Sequence, residues 1–411
     1  SVSLGWRPTE ESFMEFYKEK IGDLKLRASY GILGSQAIGT YDRFTVYDVY
    51  DNSYAYNNKT VSGAGFKLGL ENLTWEKTQT FNIGVDASFL QNSLTVTFDY
   101  FHKRTNDILM KPLISSVFGT EMPMANIGKM QNQGWDLSVN YRLKTGAFTH
   151  NFNFNLGDSW NKVLEFPGDE QITQVEELSR IIRVGVPLNS YYGYKMAGFF
   201  QSYDEIEASD IPVGAKVQPG DIKFVDRNDD GIIDSKDKFI LGNAFPRYTF
   251  GFTYGLNWKG IDFSMFWQGV GKRDLWIMND LFYPHYDAWT TVYDTQLNYW
   301  TPERTDSYFP RLYEKAAGNT AANTRIQTRY LQDGSYLSIR NITLSYNFPS
   351  KWMTKIGVNN LAVFFSGENL YTFDHLPKGL DPERSVTDDL GQRGFTYPYM
   401  RQYSFGINLS F

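Results

Sequence analysis

The chain has 411 residues, no cysteine, 40 Lys+Arg against 46 Asp+Glu, and 28 Tyr, 31 Phe and 10 Trp. So aromatic a chain, with 21% charged residues and a net charge of −6, is neither disordered nor a general nucleic-acid binder, and it has no disulfide framework, thiolate metal site or cysteine nucleophile. A mean hydropathy of −0.42 without a long apolar run excludes helical membrane spans but not a β-barrel, whose alternating residues average out.

The opening Ser1-Val2-Ser3-Leu4-Gly5-Trp6 already alternates and has no Met, basic region or apolar leader. It suits a processed protein or a chain that starts inside a fold. Period-two runs follow, each with one apolar parity. Leu24, Leu26, Ala28, Tyr30 and Ile32 oppose Lys25, Arg27 and Ser29. Phe81, Ile83, Val85, Ala87 and Phe89 oppose Asn82 and Asp86, and Leu94, Val96, Phe98 and Tyr100 oppose Thr95, Thr97 and Asp99. Trp135 to Leu143, Phe148 to Leu156, Tyr248 to Trp258 and Ile261 to Trp267 repeat the pattern. Leu337 and Ile339 hold one parity and Ile342, Leu344, Tyr346 and Phe348 the other, a phase slip that predicts a β-bulge. Leu361, Val363 and Phe365 come next. The last run, Tyr403, Phe405, Ile407, Leu409 and Phe411, has the terminal pattern by which outer-membrane barrels are recognised for assembly. With the opening run, eleven strands are expected.

Their connections alternate without exception. Short ones (7–23, Gln91-Asn92, Lys144-Thr145-Gly146, Lys259-Gly260, 349–357) separate long ones at 34–76, 107–130, 162–246, 272–334 and 371–398. Short periplasmic turns and long extracellular loops are the rhythm of an outer-membrane barrel. A soluble sandwich has no reason to collect its long loops at one end. The predicted fold class is all-β, a transmembrane antiparallel β-barrel of about eleven strands; the alternative from a different class is a secreted glycan-binding β-sandwich.

Several segments resemble the SusC-like TonB-dependent transporters of the Gram-negative outer membrane. They are Leu73-Thr74-Trp75-Glu76-Lys77-Thr78 with Asn82, Gly84 and Asp86; Tyr100 through Leu109; and Asn126-Ile127-Gly128 with Asn132-Gln133-Gly134-Trp135-Asp136. Tyr336 through Tyr346 is similar to the family's YLRIRNITLSY, departing at Ser338, and Gly367-Glu368-Asn369-Leu370 with Gly379-Leu380-Asp381-Pro382-Glu383 continues the series. The resemblance implies a 22-stranded barrel filled by an N-terminal plug. On it, residues 1–411 are expected to be the C-terminal part of the barrel, with plug, TonB box and first barrel half absent from this chain. Open edges in lipid leave backbone groups unsatisfied at several kcal/mol each, so residues 1–6 and 399–411 are expected to pair with strands outside it.

The same resemblance implies TonB-driven import of a nutrient, an oligosaccharide first and an oligopeptide as the main alternative. A SusD-type surface lipoprotein would be the partner. A siderophore- or vitamin-type receptor and a passive porin share the architecture. No residue discriminates the cargo, and the substrate-binding residues stay unknown.

Asp226-Arg227-Asn228-Asp229-Asp230-Gly231-Ile232-Ile233-Asp234-Ser235-Lys236-Asp237 has the spacing of an EF-hand loop. Asp226, Asn228, Asp230, Ile232 (through its carbonyl), Asp234 and Asp237 would ligate Ca²⁺, with Mg²⁺ conceivable because Asp replaces Glu at the last position. The role would be structural. The competing reading is an Asx-rich turn that binds nothing. The four histidines (His102, His150, His285, His375) have no ligand spacing and no G-x-S-x-G occurs, so no catalytic residues are expected.

Tyr191-Tyr192-Gly193-Tyr194, Phe282-Tyr283-Pro284-His285-Tyr286 with Trp289, and Tyr397-Pro398-Tyr399 are expected mainly to pack the loops, sugar stacking being the other reading. Trp135, Trp258 and Trp267 are assigned to interface girdles. Thr290 to Trp300 is read as a short helix with Val292, Leu297 and Trp300 on one side.

Overall fold

The computed structural model describes residues 1–36, 38, 39, 43–70, 72–112, 117, 122–168, 170–175, 178–209, 216–277, 293–313, 323–384, 397 and 399–410. In chain order the strands are β1 (Val2–Trp6), β2 (Gly22–Ser35), β3 (Val46–Tyr56), β4 (Lys59–Lys67), β5 (Glu76–Phe89), β6 (Leu94–Met110), β7 (Ala125–Thr145) and β8 (Phe148–Glu165). Next are β9 (Glu170–Val175), β10 (Leu178–Arg183), β11 (Ser190–Gly193), β12 (Met196–Phe199), β13 (Ile222–Phe224) and β14 (Phe239–Gly242). The chain continues through β15 (Arg247–Trp258), β16 (Ile261–Lys272), β17 (Asp274–Trp276), β18 (Leu331–Asp333), β19 (Tyr336–Asn347), β20 (Asn360–Asp374) and β21 (Gln402–Ser410).

Eleven of these form one antiparallel sheet in the order β1-β2-β5-β6-β7-β8-β15-β16-β19-β20-β21. Every main strand lies beside its predecessor, as short-range hairpin pairing dictates. The strands outrun the apolar stretches that predict them. The 107–130 connection shrinks because β6 runs to Met110 and β7 starts at Ala125, and β8 continues to Glu165. The Lys259-Gly260 turn has φ of 45° and 89° between the paired Trp258 and Ile261, a two-residue hairpin turn matched to strand twist. The Gln91-Asn92 turn is longer than expected, Leu90 to Ser93, with Leu90, Gln91 and Asn92 all left-handed.

The predicted bulge sits at Arg340. On β16, Phe266 faces Asn341 and Trp267 faces Ile339, so Arg340 is skipped. The extra residue leaves both Arg340 and Asn341 on the polar parity, which pure alternation forbids.

The chain divides into two compact units. The first, Ser1–Val139 with Gly157–Gln171 and Ile182–Leu188, contains β1, β2, β5, β6 and the separate β3–β4 hairpin. Its polar row is held by Arg27, which reaches Asp86 at 2.8 Å and Asp99 at 2.9 Å. That guanidinium lies against Gly84, where no side chain obstructs it. Phe101, on the same parity, covers Gly134. A Cβ there would stand 2.4 Å from the Asp158 carbonyl oxygen and 2.7 Å from the Phe101 ring. Gly134→Val is therefore expected to destabilise by about 1–3 kcal/mol, read from urea unfolding in lipid vesicles, while Ser138→Val on the same parity changes little.

The second unit, Asn140–Leu156, Ile172–Ile181 and Asn189–Phe411, carries the buried core, and that core is not on the large sheet. Tyr191, Phe199, Ile222, Trp276, Trp300, Phe309 and Tyr330 form it, all from the long connections or their edges. The stretch 162–246 is thus no plain loop. It contributes β9 to β14, with β14-β11-β10-β9 as a four-stranded sheet and β12 paired to β13. The expected helix at Thr290–Trp300 is corrected. Residues 290–292, Val292 included, lie outside the described residues, and what remains is a 3₁₀ turn at Asp294–Leu297. Leu297 is exposed whereas Trp300 is buried, so the two do not share a side.

On the edge strands of the sheet the apolar rows are exposed. Leu4 is 75% exposed, Phe405 82% and Ile407 70%. A soluble sandwich buries such rows against a second sheet. Rows left bare on the large sheet, with the core displaced into the connections, fit a lipid-facing surface.

Candidate functional site

Three constellations of charged side chains stand out among the described residues. The first is the wall itself, where Arg27, Asp86 and Asp99 form a closed ion cluster and Lys25 stands in register with Asp86. Its carboxylates and guanidinium satisfy one another, so it offers a fixed polar surface and no reactive group.

The second is the acidic loop. Asp226 Oδ1 accepts the Asn228 and Asp229 amides at 3.1 and 2.8 Å, and Oδ2 accepts the Gly231 amide at 2.9 Å. These amides hold the Asp226 carboxyl below its usual range, Gly231 first. The charged form, and the turn it caps, therefore persists until pH falls through that lowered value. Asp230 accepts the Ile232 amide at 3.1 Å and Asn228 Nδ2 at 2.7 Å; Asp234 accepts the Lys236 amide at 2.7 Å. Asp237 is fully buried and accepts the Arg227 and Asp234 amides at 2.9 and 2.7 Å. The six expected ligand positions thus share one loop, but their carboxylates turn to backbone amides. Among the described residues no three His, Cys, Asp or Glu side chains stand where they could hold a metal ion. The Lys236 ammonium lies 3.7 Å from Asp230 and 3.8 Å from Asp234, so a positive charge already stands between the two carboxylates.

The third constellation joins motifs that are far apart in the chain. The bulge aims Arg340 at Asn369 Oδ1 (3.1 Å) and at the Glu383 carboxylate, which also accepts the Tyr336 hydroxyl. Asn369 has φ 51°, a left-handed position that asparagine tolerates. Asp381 accepts the Glu383 and Arg384 amides at 2.9 and 3.2 Å and the Tyr399 amide at 3.3 Å. Arg340 lies 5.0 Å from the Tyr399 ring centroid. This cluster ties the last long connection to the polar parity of β19 and β20. Spacing alone does not reveal it; the signal was the phase slip together with two separate motifs.

Of the other expected residues, Tyr191, Tyr192 and Tyr194 are buried in the loop body, which is the packing reading. Phe282, Tyr283, Pro284, His285, Tyr286, Trp289 and Pro398 lie outside the described residues, as does Phe411. Tyr403, Phe405, Ile407 and Leu409 share one exposed row of β21, facing Gly367, Phe365, Val363 and Leu361 of β20. Trp258 stacks on Phe148 at 5.4 Å, Trp135 on Phe98 at 6.3 Å and Trp267 on Phe373 at 6.5 Å, all on apolar parities.

A family model described as TonB dependent receptor-like, beta-barrel matches residues 1–361. TonB-dependent receptor P26 of Formosa agariphila is 32% identical across the whole chain, which covers 42% of that protein. TonB-dependent receptor SusC of Bacteroides thetaiotaomicron is 29% identical, again across the whole chain and 40% of the relative. The chain thus spans about two fifths of the length of these relatives. Among solved structures, the RagAB peptide transporter superposes with a TM-score of 0.77 at 23% identity, covering all of this chain and 43% of that one.

Proposed function

The chain belongs to the TonB-dependent receptor-like β-barrel family of the outer membrane, and from that premise we propose that it forms the C-terminal part of the barrel of a SusC-type nutrient importer. The carrying observation is the eleven-stranded sheet with one polar and one bare apolar parity, matched along its whole length by SusC-type receptors. The polar parity would line the import path. The outer edges of β1 and β21, each with one neighbour, would pair with the remaining barrel strands, and a plug would fill the lumen. A TonB complex would supply energy through that plug, and a SusD-type lipoprotein would close over the loop body. No catalytic group is assigned.

Oligosaccharide is the cargo that the sequence resemblance favours. Oligopeptide is the second reading, favoured by the structural likeness to a peptide transporter. Cells lacking the whole protein are expected to lose uptake of one labelled class, oligosaccharide or oligopeptide, and cells lacking TonB to lose the same one. Uptake of both classes unchanged by either deletion would overturn the importer reading.

The acidic loop is proposed to bind Ca²⁺ structurally, with Asp226, Asn228, Asp230, Asp234, Asp237 and the Ile232 carbonyl as ligands. The cation would replace the Lys236 ammonium, and Mg²⁺ would bind more weakly, being reluctant to dehydrate. Lys236→Gln is expected to raise, and Asp230→Asn to lower, the Ca²⁺ affinity measured by calorimetry on the whole protein. Absence of any Ca²⁺ heat in the parent and in Lys236→Gln would leave the loop a capped turn.

A further inference from the structure

The connection between β1 and β2 is long for the short-turn end of the sheet, and its apolar side chains are out of place for water. It contains 3₁₀ turns at Pro8–Glu10 and Ser12–Met14 and a short helix at Glu15–Lys20. Phe13 is 65% exposed and Phe16 59%, and Ile21 is exposed where the segment enters β2. Phe13 lies in the second of these turns and Phe16 in the first turn of the helix. Polar groups engage one another there. Arg7 pairs with Asp23, Lys18 bonds Glu10 at 2.6 Å, and Thr9 donates to Asp23. Phe13 and Phe16 are left outside that network.

Position identifies what covers them. Trp6 ends β1 in register with Leu26, on the apolar parity that faces lipid. Its indole N–H donates to Glu11 Oε1 at 3.2 Å, and its ring centroid lies 6.5 Å from that of Phe13. The lipid-facing row therefore continues without a break from β1 onto Phe13. An amphipathic ring with its polar tip bonded is the usual occupant of the membrane–water boundary. In a barrel of this family, the short-turn end faces the periplasm.

We propose that residues 7–21 form an interfacial anchor, with Phe13 and Phe16 seated among the glycerol and upper acyl groups of the periplasmic leaflet. The partner is the phospholipid surface itself. The anchor fixes the depth of β1 and β2 in the membrane, and rests on the barrel assignment but not on the transport reading. Interfacial segments of this kind bind through apolar side chains on one face and charged ones on the other.

Because this chain has no cysteine, single nitroxide labels can be placed on the whole protein, freed of any cysteine elsewhere and reconstituted in phosphatidylethanolamine–phosphatidylglycerol vesicles. Phe13→Cys and Phe16→Cys are expected to favour oxygen over a water-soluble nickel relaxant, and Glu11→Cys the reverse. Met265→Cys, on the apolar row of β16, serves as the lipid-facing control, so failure of the barrel assignment shows there first. With that control positive, labels at 13 and 16 relaxed mainly by nickel would overturn the anchor. Labels shielded from both reagents would equally overturn it, because protein and not lipid would then cover these rings.

Discussion

Met265→Arg is expected to destabilise the reconstituted protein by about 2–4 kcal/mol, whereas Ser264→Arg, one residue away, costs little. Met265 stands between Tyr254 of β15 and Ile342 of β19, and Ser264 between Gly255 and Thr343. The two positions share a strand, a depth and nearly the same hydrogen-bonded surroundings, so only the parity differs. On the apolar row a guanidinium must be dragged into hydrocarbon near mid-membrane. On the polar row it finds water and the side chains of Thr343 and Ser366, which already hydrogen-bond each other at 3.0 Å. Urea unfolding of both variants in lipid vesicles makes the comparison. Equal losses from the two would sink the assignment of this strand to a barrel wall, whatever the fate of the transport reading.

The parities were readable because the bilayer imposes them. A strand with hydrocarbon on one side and water on the other must alternate, and Tyr248 to Trp258 does so without error. Strand ends were less readable for the same reason. Where β7 begins, Ala125 to Gly134 alternate only weakly, yet the ladder continues through them. The loop body was hidden for another reason. Its hydrogen bonds join segments a hundred residues apart, as when the Asn323 side chain donates to Asp221 at 2.8 Å and accepts the Ile222 amide at 3.0 Å. No local period encodes such a pairing. The aromatic run Tyr191-Tyr192-Gly193-Tyr194 pointed to packing, but not to its partners Trp276 and Tyr330. The helix expected before Trp300 failed because Trp300 is fixed by strand-like bonds, its amide donating to the Phe309 carbonyl at 3.0 Å. The acidic loop was legible as a loop. Whether its carboxylates cap amides or close on a cation depends on a balance that spacing does not set.

The Arg340 cluster carries the other large effect. Glu383→Gln is expected to cost about 2–4 kcal/mol, below the full value for a buried pair because some water reaches both partners. The Arg340 and Glu383 side chains are 13% and 19% exposed, so the guanidinium left behind has little solvent to turn to. Asn369 accepts one of its N–H groups, but a neutral amide oxygen does not replace a carboxylate. The loss falls on both ends of the tie. Tyr336 loses its charged acceptor, and the turn built on Asp381 loses its attachment to β19. Removing both charges is a different experiment. In Arg340→Met with Glu383→Gln nothing charged is stranded, so the double variant is expected to be less destabilised than Glu383→Gln alone. Limited proteolysis after residue 384 and urea unfolding read the two scales, attachment of the last connection and stability of the wall. A double variant as damaged as the sum of the singles would mean that the pair does not act through its charge. The bulge at Arg340 would then matter only for the course of the strand, and the phase slip in the sequence would mark geometry alone.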